Sequence, residues 1–340
     1  MRYYSLQFFS GLHVDSKGSG SPETADPFIR SDTLSAALCL AWKDLYPEDL
    51  TDEFFFNPPV RVSSAFPFCD KVLLFPVPQW RFWKENQGDL LRRKEMKKVQ
   101  WLSRGLMEEI ATGVRIDYND VEIVGSSVAL SKQEFAEAGY LNRNSPLWML
   151  GERQRVAVDR FACPEGGQTF FFALQFFAQN SGLYFIASGD DNALNRLERV
   201  LDYLGDTGLG ADRSSGLGHF IVRQTGSVNF RKPRQKEGWI SLSLFNPGDD
   251  DNLKDLTRNC AYDLVTRSGW ISGSSLGRPP IRAFAEGSYF GVRPKGRIVR
   301  MLPEAIRNEY KLPIAHSAPR DFRALCMPCA CPEIIKEAEK

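Results

Sequence analysis

The feature that most constrains this chain is a glycine-rich segment, Gly208-Leu209-Gly210-Ala211-Asp212-Arg213-Ser214-Ser215-Gly216-Leu217-Gly218-His219-Phe220. It lies between a helical pattern and a strand pattern. Glycine lets the backbone reach positive φ and lets another polymer approach closely. Successive amides in such a turn form an anion-binding concavity, and Arg213 adds a planar fork suited to phosphate. The segment is not a nucleotide loop of the common kinds. A P-loop carries Lys-Ser/Thr directly after its last glycine, whereas Leu217 follows Gly216 and His219 follows Gly218. A dinucleotide fingerprint follows a strand and opens a helix; here the order is reversed. Upstream, Asp190-Asp191-Asn192 followed by Leu194, Leu197, Val200, Leu201 and Leu204 predicts a capped amphipathic helix, with Gly205 as its C′ glycine. Downstream, Phe220-Ile221-Val222 predicts a strand.

Length and charge narrow the classes. The 340 residues suffice for two domains. A net charge of +1 excludes a globally basic nucleic-acid binder but leaves local basic patches. These are Arg92, Arg93, Lys94, Lys97 and Lys98; then Arg231, Lys232, Arg234 and Lys236; then Arg293, Lys295, Arg297 and Arg300, with Arg278 and Arg282 upstream. No uncharged apolar run has the length of a membrane span, and the start, Met1 to Phe9, is too polar for a signal peptide. A cytoplasmic location is expected, without a disulfide framework despite the 7 cysteines. Cys326, Cys329 and Cys331 form a tight cluster with His316 as a distant fourth ligand. That spacing fits no closed zinc signature, so no metal or cofactor is expected.

Along the chain, Tyr3–Phe9 predicts a first strand, followed by a glycine-rich loop over 11–27 containing His13. A helix opens at Ser31-Asp32-Thr33, with Ser31 or Asp32 as cap and Leu34, Ala37, Leu38, Ala41, Trp42 and Leu45 on one face. Arg30 stands at its mouth, where unpaired amides and the helix dipole favour an anion. The proline- and aromatic-rich stretch 54–83 has exposed-looking apolar residues up to Phe75, and 97–111 predicts a helix. We assign 46–153 as an insertion. Strands are then predicted at 154–160, 169–177 and 182–187, before the 190–204 helix and the loop. The C-terminal part predicts a strand at 238–245, a helix at 252–267 and a hairpin pairing 269–271 with 280–284. Asp249-Asp250-Asp251 is expected to be a solvated turn and helix cap. The expected fold class is α+β, with two ferredoxin-like (RRM-like) domains: 1–225 with the insertion, and a reduced unit over 226–340.

This ordered set of features resembles the RAMP superfamily of CRISPR proteins. More closely, it is similar to the subunit that caps the 5′ end of the guide RNA in type III-A (Csm) effector complexes. The resemblance rests on Gly11-Leu12-His13, Arg30 to Leu38, Val156-Ala157-Val158-Asp159-Arg160, the loop 208–220, Ser268-Gly269-Trp270-Ile271 and Glu286-Gly287-Ser288-Tyr289-Phe290, which span most of the chain. One departure is Ala211-Asp212, where many relatives carry glycine or a basic residue; Asp212 weakens the local attraction for phosphate. The resemblance implies a binding subunit without catalytic residues. Its partners would be the repeat-derived 5′ handle, a large polymerase-like subunit, a backbone RAMP subunit and target RNA near the 5′ end of the guide. The RNA-binding candidates are His13, Arg30, Ser31, Gly208, Gly210, Arg213, Ser214, Ser215, Gly216, Gly218 and His219. Such subunits also present a β-hairpin thumb that interrupts the guide–target duplex. The candidate thumb is 140–150, with Leu141, Arg143, Leu147 and Trp148 as its wedge residues. Two rival functions stand beside this one. A metal-independent endoribonuclease would use His13 with Tyr3 or Lys17 as base and charge stabiliser. The subunit at the 3′ end of the same assembly shares the glycine loop.

Overall fold

The computed structural model describes residues 1–15, 22–49, 52–84, 90–138, 141–144, 146–157, 168–234, 237–271, 274, 276–312 and 317–332. Lys17, Tyr140, Cys163, His316 and the Val158-Asp159-Arg160 segment of the sequence reading lie outside them.

β1 (Arg2–Phe8) buries Tyr4, Leu6 and Phe8 on one face, the alternation a strand covered by helices requires. That cover is α1 (Ser31–Leu45), through Leu34, Leu38, Ala41 and Trp42, and later α6. The N-cap of α1 is Arg30, and no side chain caps it, in place of the predicted Ser31 or Asp32. There follow α2 (Asp52–Phe56), β2 (Arg61–Val62), β3 (Phe66–Cys69), β4 (Val72–Pro76), α3 (Leu90–Met96), β5 (Trp101–Ser103), α4 (Arg104–Ala111), β6 (Val121–Val124), β7 (Val128–Ser131) and α5 (Lys132–Glu137). The predicted helix at 97–111 is thus a strand and a shorter helix, because Trp101 and Leu102 extend to pair with Pro76 and Phe75. Next come β8 (Trp148–Ala157), β9 (Gln168–Phe177), β10 (Ser181–Ser188), α6 (Asp191–Thr207) and β11 (Phe220–Ser227). Asp190 caps α6, accepting from Ala193 N at 2.7 Å. The helix ends on Gly208 rather than Gly205. Gly205 lies inside it because the Phe220 carbonyl passes where a side chain would stand.

The main sheet runs β11-β1-β10-β3-β4-β5-β7-β6, with β2 also paired to β10. Its second core strand, β3, therefore comes from the stretch assigned to the insertion. β8 and β9, predicted as strands of this sheet, instead form a separate two-stranded ribbon. The exposed apolar surface expected at 54–75 is interior: Phe66, Phe68, Leu74 and Phe75 are fully buried.

The C-terminal part contains β12 (Glu237–Ser241), α7 (Leu253–Arg258), β13 (Cys260–Ala261), β14 (Leu264–Trp270), β15 (Gly277–Phe284), β16 (Tyr289–Phe290), β17 (Gly296–Arg300), α8 (Glu304–Glu309), β18 (Pro319–Arg323) and β19 (Cys326–Ala330). α7 is a short helix capped by Asn252, and the rest of the predicted 252–267 helix is β13, the start of β14 and the short links before them, which places Arg267 on β14. Asp251 does not cap it; its carboxylate accepts from the amides of Gly248, Lys295 and Gly296 and ties this turn to β17. The second sheet runs β13-β16-β12-β19, while β14–β15 and β17–β18 are separate ribbons. In chain order, β11-β1-β10-β3 and β19-β12-β16-β13 are both fourth-first-third-second, and every adjacent pair is antiparallel. One apolar core joins the sheets, with Tyr184 and Ile186 of β10 in the same cluster as Ile240, Tyr289 and Met327. Cys326, Cys329 and Cys331 are buried at this seam, and among the described residues no group of three or more His, Cys, Asp or Glu is placed to hold a metal.

Candidate nucleic-acid interface

The glycine loop is built from backbone contacts that side chains would obstruct. Gly208, Gly210, Gly216 and Gly218 have φ of 82°, 94°, 80° and 74°, and Asp212 is left-handed at 62°. At Gly208, Gly210 and Gly218 a Cβ would run into the carbonyls of Leu217, His13 and Leu209 respectively. At Gly216 nothing lies within 4 Å of such a Cβ, so this glycine faces open space. The loop is anchored by the buried Leu209 and Leu217, and Leu209 N bonds Gly218 O at 3.0 Å. A strut formed by Gly11, Leu12 and His13 fixes it to the sheet: Gly218 N donates to Gly11 O at 3.0 Å and Ala211 N to His13 O at 2.9 Å. What remains outward is a crown of Arg213, Ser214, Ser215 and Gly216, all exposed, at the short 3₁₀ turn Arg213–Ser215. Of the two histidines proposed to contact RNA, His219 is half-buried, with its backbone bonded to Phe9 and Ser10.

Asp212, the departure noted in the sequence, is a paired acid beside the crown. Its carboxylate is ion-paired with Arg155 of β8 and accepts from Ser215 Oγ at 3.1 Å. The bond from Arg155 holds this carboxyl below the usual range. Arg155 also lies 4.6 Å from the centroid of the Phe172 ring. The acidic charge is thus matched within the chain, and Arg213 faces solvent without an acidic partner among the described residues. Sequence reasoning missed Arg155, because its relation to Asp212 depends on where the β8–β9 ribbon crosses the loop.

His13 is placed inward rather than toward a base. It is 3% exposed, its Nδ1 lies 2.8 Å from Ala173 O, and its ring lies 4.3 Å from Phe172. Its stacking role is replaced by a framing one. The α1 mouth is likewise sealed. Arg30 Nη1 pairs with Glu286 at 2.6 Å, and its Nε lies 3.6 Å from Asp26. Ser31 N donates to Ser64 Oγ at 2.9 Å, and Ser31 Oγ accepts from Leu244 N at 3.0 Å. Asp32 and Arg267 form a fully buried pair at 3.2 Å. These groups join the two halves of the molecule. Arg30 and Ser31 therefore belong to that seam and not to the outward crown, because Glu286 of the C-terminal part supplies the anion and Ser64 the hydroxyl that the helix mouth requires.

The wedge candidates stand at the root of the ribbon. Leu147 is buried, Leu141 and Trp148 pack on the central core, and Arg143 pairs with Glu122 at 2.8 Å. The projecting element is β8–β9 itself, ten residues a side, which exposes Met149, Leu150, Val156, Phe171 and Phe176. Its inner side packs Phe172 and Leu174 on Leu217 of the glycine loop.

The chain is similar in sequence and fold to known proteins. Residues 234–318 match the CRISPR Csm4 C-terminal domain family. A CRISPR system Cms protein Csm4 of Mycobacterium tuberculosis is 23% identical over 296 residues, covering 86% of this chain and 88% of that protein. The protein of that name from Methanocaldococcus jannaschii is 25% identical over 309 residues, covering 80% and 81%. Among solved structures, a chain of the Csm3-Csm4 subcomplex in the type III-A CRISPR-Cas interference complex superposes with a TM-score of 0.68 at 18% identity, covering 97% of this chain and 100% of the other. A chain of the Csm1-Csm4 cassette in complex with pppApA gives 0.57 at 17% identity, with 98% of each covered. Over most of its length the chain is thus similar in sequence to Csm4 proteins of CRISPR systems and shares the fold of a chain in the Csm3-Csm4 subcomplex. Its residues 234–318 carry the similarity to the Csm4 C-terminal domain family.

Proposed function

We propose that this chain caps the repeat-derived 5′ handle of the guide RNA in a type III-A Csm effector complex and bridges Csm1, the large polymerase-like subunit, to the backbone subunit Csm3. The observation that carries this reading is the crown Arg213–Gly216, an exposed cation and two hydroxyls on a backbone that leaves open space above Gly216. A single-stranded handle is held by such phosphate contacts together with base stacking. Gly208, Gly210 and Gly218 shape the crown, and His219 flanks it. The β8–β9 ribbon supplies the thumb, reaching target RNA near the handle with its exposed apolar residues.

The shared fourth-first-third-second strand order supports two ferredoxin-like units, 1–225 and 226–340. In the first, the additional strands β4 to β7 extend one edge of the sheet. No helix among the described residues is long and apolar enough to cross a membrane, and we assign the protein to the cytoplasm. The subunit acts by binding rather than catalysis. The proposed base, His13, is buried, and Tyr3 lies at the other end of β1, so this pair is not brought together.

The test is binding of the purified chain to handle RNA against a scrambled RNA at several salt concentrations, with Arg213→Ala beside it. Handle-selective binding is expected, with Arg213→Ala weakening it and reducing the salt slope by about 1. Cleavage of the RNA by the chain would favour the endoribonuclease. Loss of 3′-end rather than 5′-end protection in complexes lacking the chain would favour the other terminal subunit.

A further inference from the structure

A second cationic site lies at the opposite end of β1 from the glycine loop. There a cleft of about 400 Å³ opens between the halves of the molecule, with Arg61 and Ser188 on one wall and Arg293 and Arg323 on the other. This is within the range of small-ligand clefts, roughly 300–1,000 Å³. β1 is seven residues long, and at about 3.3 Å per residue the two sites stand on the order of 20 Å apart. One bound nucleotide does not reach both.

The three arginines differ in what holds them. Arg323 is fully engaged: it grips both oxygens of Asp321, and donates to Pro58 O at 3.1 Å and Val60 O at 2.8 Å. Arg61, opposite Ser188 in the β2–β10 pairing, donates only Nη1, to Ala324 O at 3.1 Å. Arg293 is exposed, with its guanidinium 4.8 Å from the centroid of the Trp239 ring. Neither Arg61 nor Arg293 has a carboxylate partner among the described residues. The charged groups facing Arg61 are Arg323 and Arg293, which repel it, and Asp321, which favours its charge; Asp321 is already gripped by Arg323. Burial first, and then the two neighbouring cations, push Arg61 below the usual guanidinium range. A partly buried, under-neutralised pair of forks in an open cleft is the arrangement that an anion with several acceptor oxygens stabilises. The apolar prolyl rings of Pro58 and Pro59 and the side chain of Asn57 line the same cleft, offering a surface for a ribose or base.

We propose that this cleft binds the phosphate of a nucleotide unit, free or within an RNA strand, through the guanidinium groups of Arg61 and Arg293, with Ser188 and Asn57 as neutral partners. The site does not depend on the glycine loop, and its failure is separable from failure of handle binding.

The test is calorimetric titration of the full chain with inorganic phosphate, AMP and hexauridylate. The last is titrated in the Arg213→Ala background so that the loop is silent. Saturable binding is expected, weakened tenfold or more by Arg293→Ala and by Arg61→Gln, with AMP binding in Arg213→Ala staying within twofold of the parent. Arg293 is exposed, so its variant keeps the test intact if Arg61→Gln fails to fold. Tighter binding of AMP than of hexauridylate assigns the site to a free nucleotide, and the reverse assigns it to a strand phosphate; both support the proposal. The absence of saturable binding by all three probes overturns it. So does binding that Arg293→Ala and every folded Arg61 variant leave within twofold.

Discussion

Gly216 and Gly218 sit two positions apart in one loop yet answer to different demands. Both have positive φ, but a Cβ meets open space at Gly216 and the Leu209 backbone at Gly218. Alanine at Gly216 should cost only the left-handed backbone term, about 1–2 kcal/mol. Gly218→Ala should cost clearly more, since Leu209 is held by its own amide bond to Gly218 O. Urea unfolding of the two variants checks this, and equal losses would count against the loop packing described. The buried Asp32–Arg267 pair gives a second prediction. Asp32→Asn leaves a guanidinium 2% exposed without its carboxylate and should lower stability by roughly 3–5 kcal/mol, seen as a fall in urea midpoint at unchanged slope.

Among the elements, the β8–β9 ribbon separates structure from function most cleanly. Its inner residues Phe172 and Leu174 hold the glycine loop, whereas Leu150 and Phe171 are 62% and 47% exposed. Replacing both outer residues by Ser should change stability by no more than about 0.5 kcal/mol each, while altering the spacing of target-RNA protection next to the handle in the assembled complex. Unchanged spacing would remove the ribbon as the thumb. Phe172→Ala, by contrast, should cost about 3–5 kcal/mol and weaken handle binding as well, because His13, Arg155 and Leu217 all lean on that ring.

For the whole molecule, the seam between the sheets sets the response to alkali. Burial pushes the Cys326 and Cys329 thiols up to about 12 from an ordinary value of 9.0. Between these values the unfolded chain releases protons that the folded chain retains, so the unfolded state binds fewer protons and stability falls as pH rises. Each thiol contributes up to about 1.4 kcal/mol per pH unit to that fall. Denaturant midpoints should therefore decline from pH 9 toward 12, and less steeply in a Cys329→Ala variant. Asp26 acts at the other extreme. Burial, the largest influence, outweighs Arg30 and raises its pKa above 3.8. Its contribution is therefore present below that value and is lost as pH rises through the folded one.

Local pattern determined the glycine loop, the Asp190-capped helix before it and the strand after it, because periodicity and capping are readable within a few residues. The composition of the crown was legible for the same reason. The partners of charged and apolar groups were not legible, because they depend on contacts far apart in the chain. Arg30 and Ser31 read as an open helix mouth until Glu286, Ser64 and Leu244 closed it. His13 read as a candidate to contact RNA until the fold buried it against Phe172. Strand periodicity gave 154–160 and 169–177 a β pattern but not a sheet; only the pairing of β3 with β10 shows which strands the sheet admits. The sequence by itself determined where glycine and arginine meet in one short span, the combination that the proposed phosphate contact requires. Tertiary structure decided which charges remain free to make it, since neutralisation is set by neighbours in space.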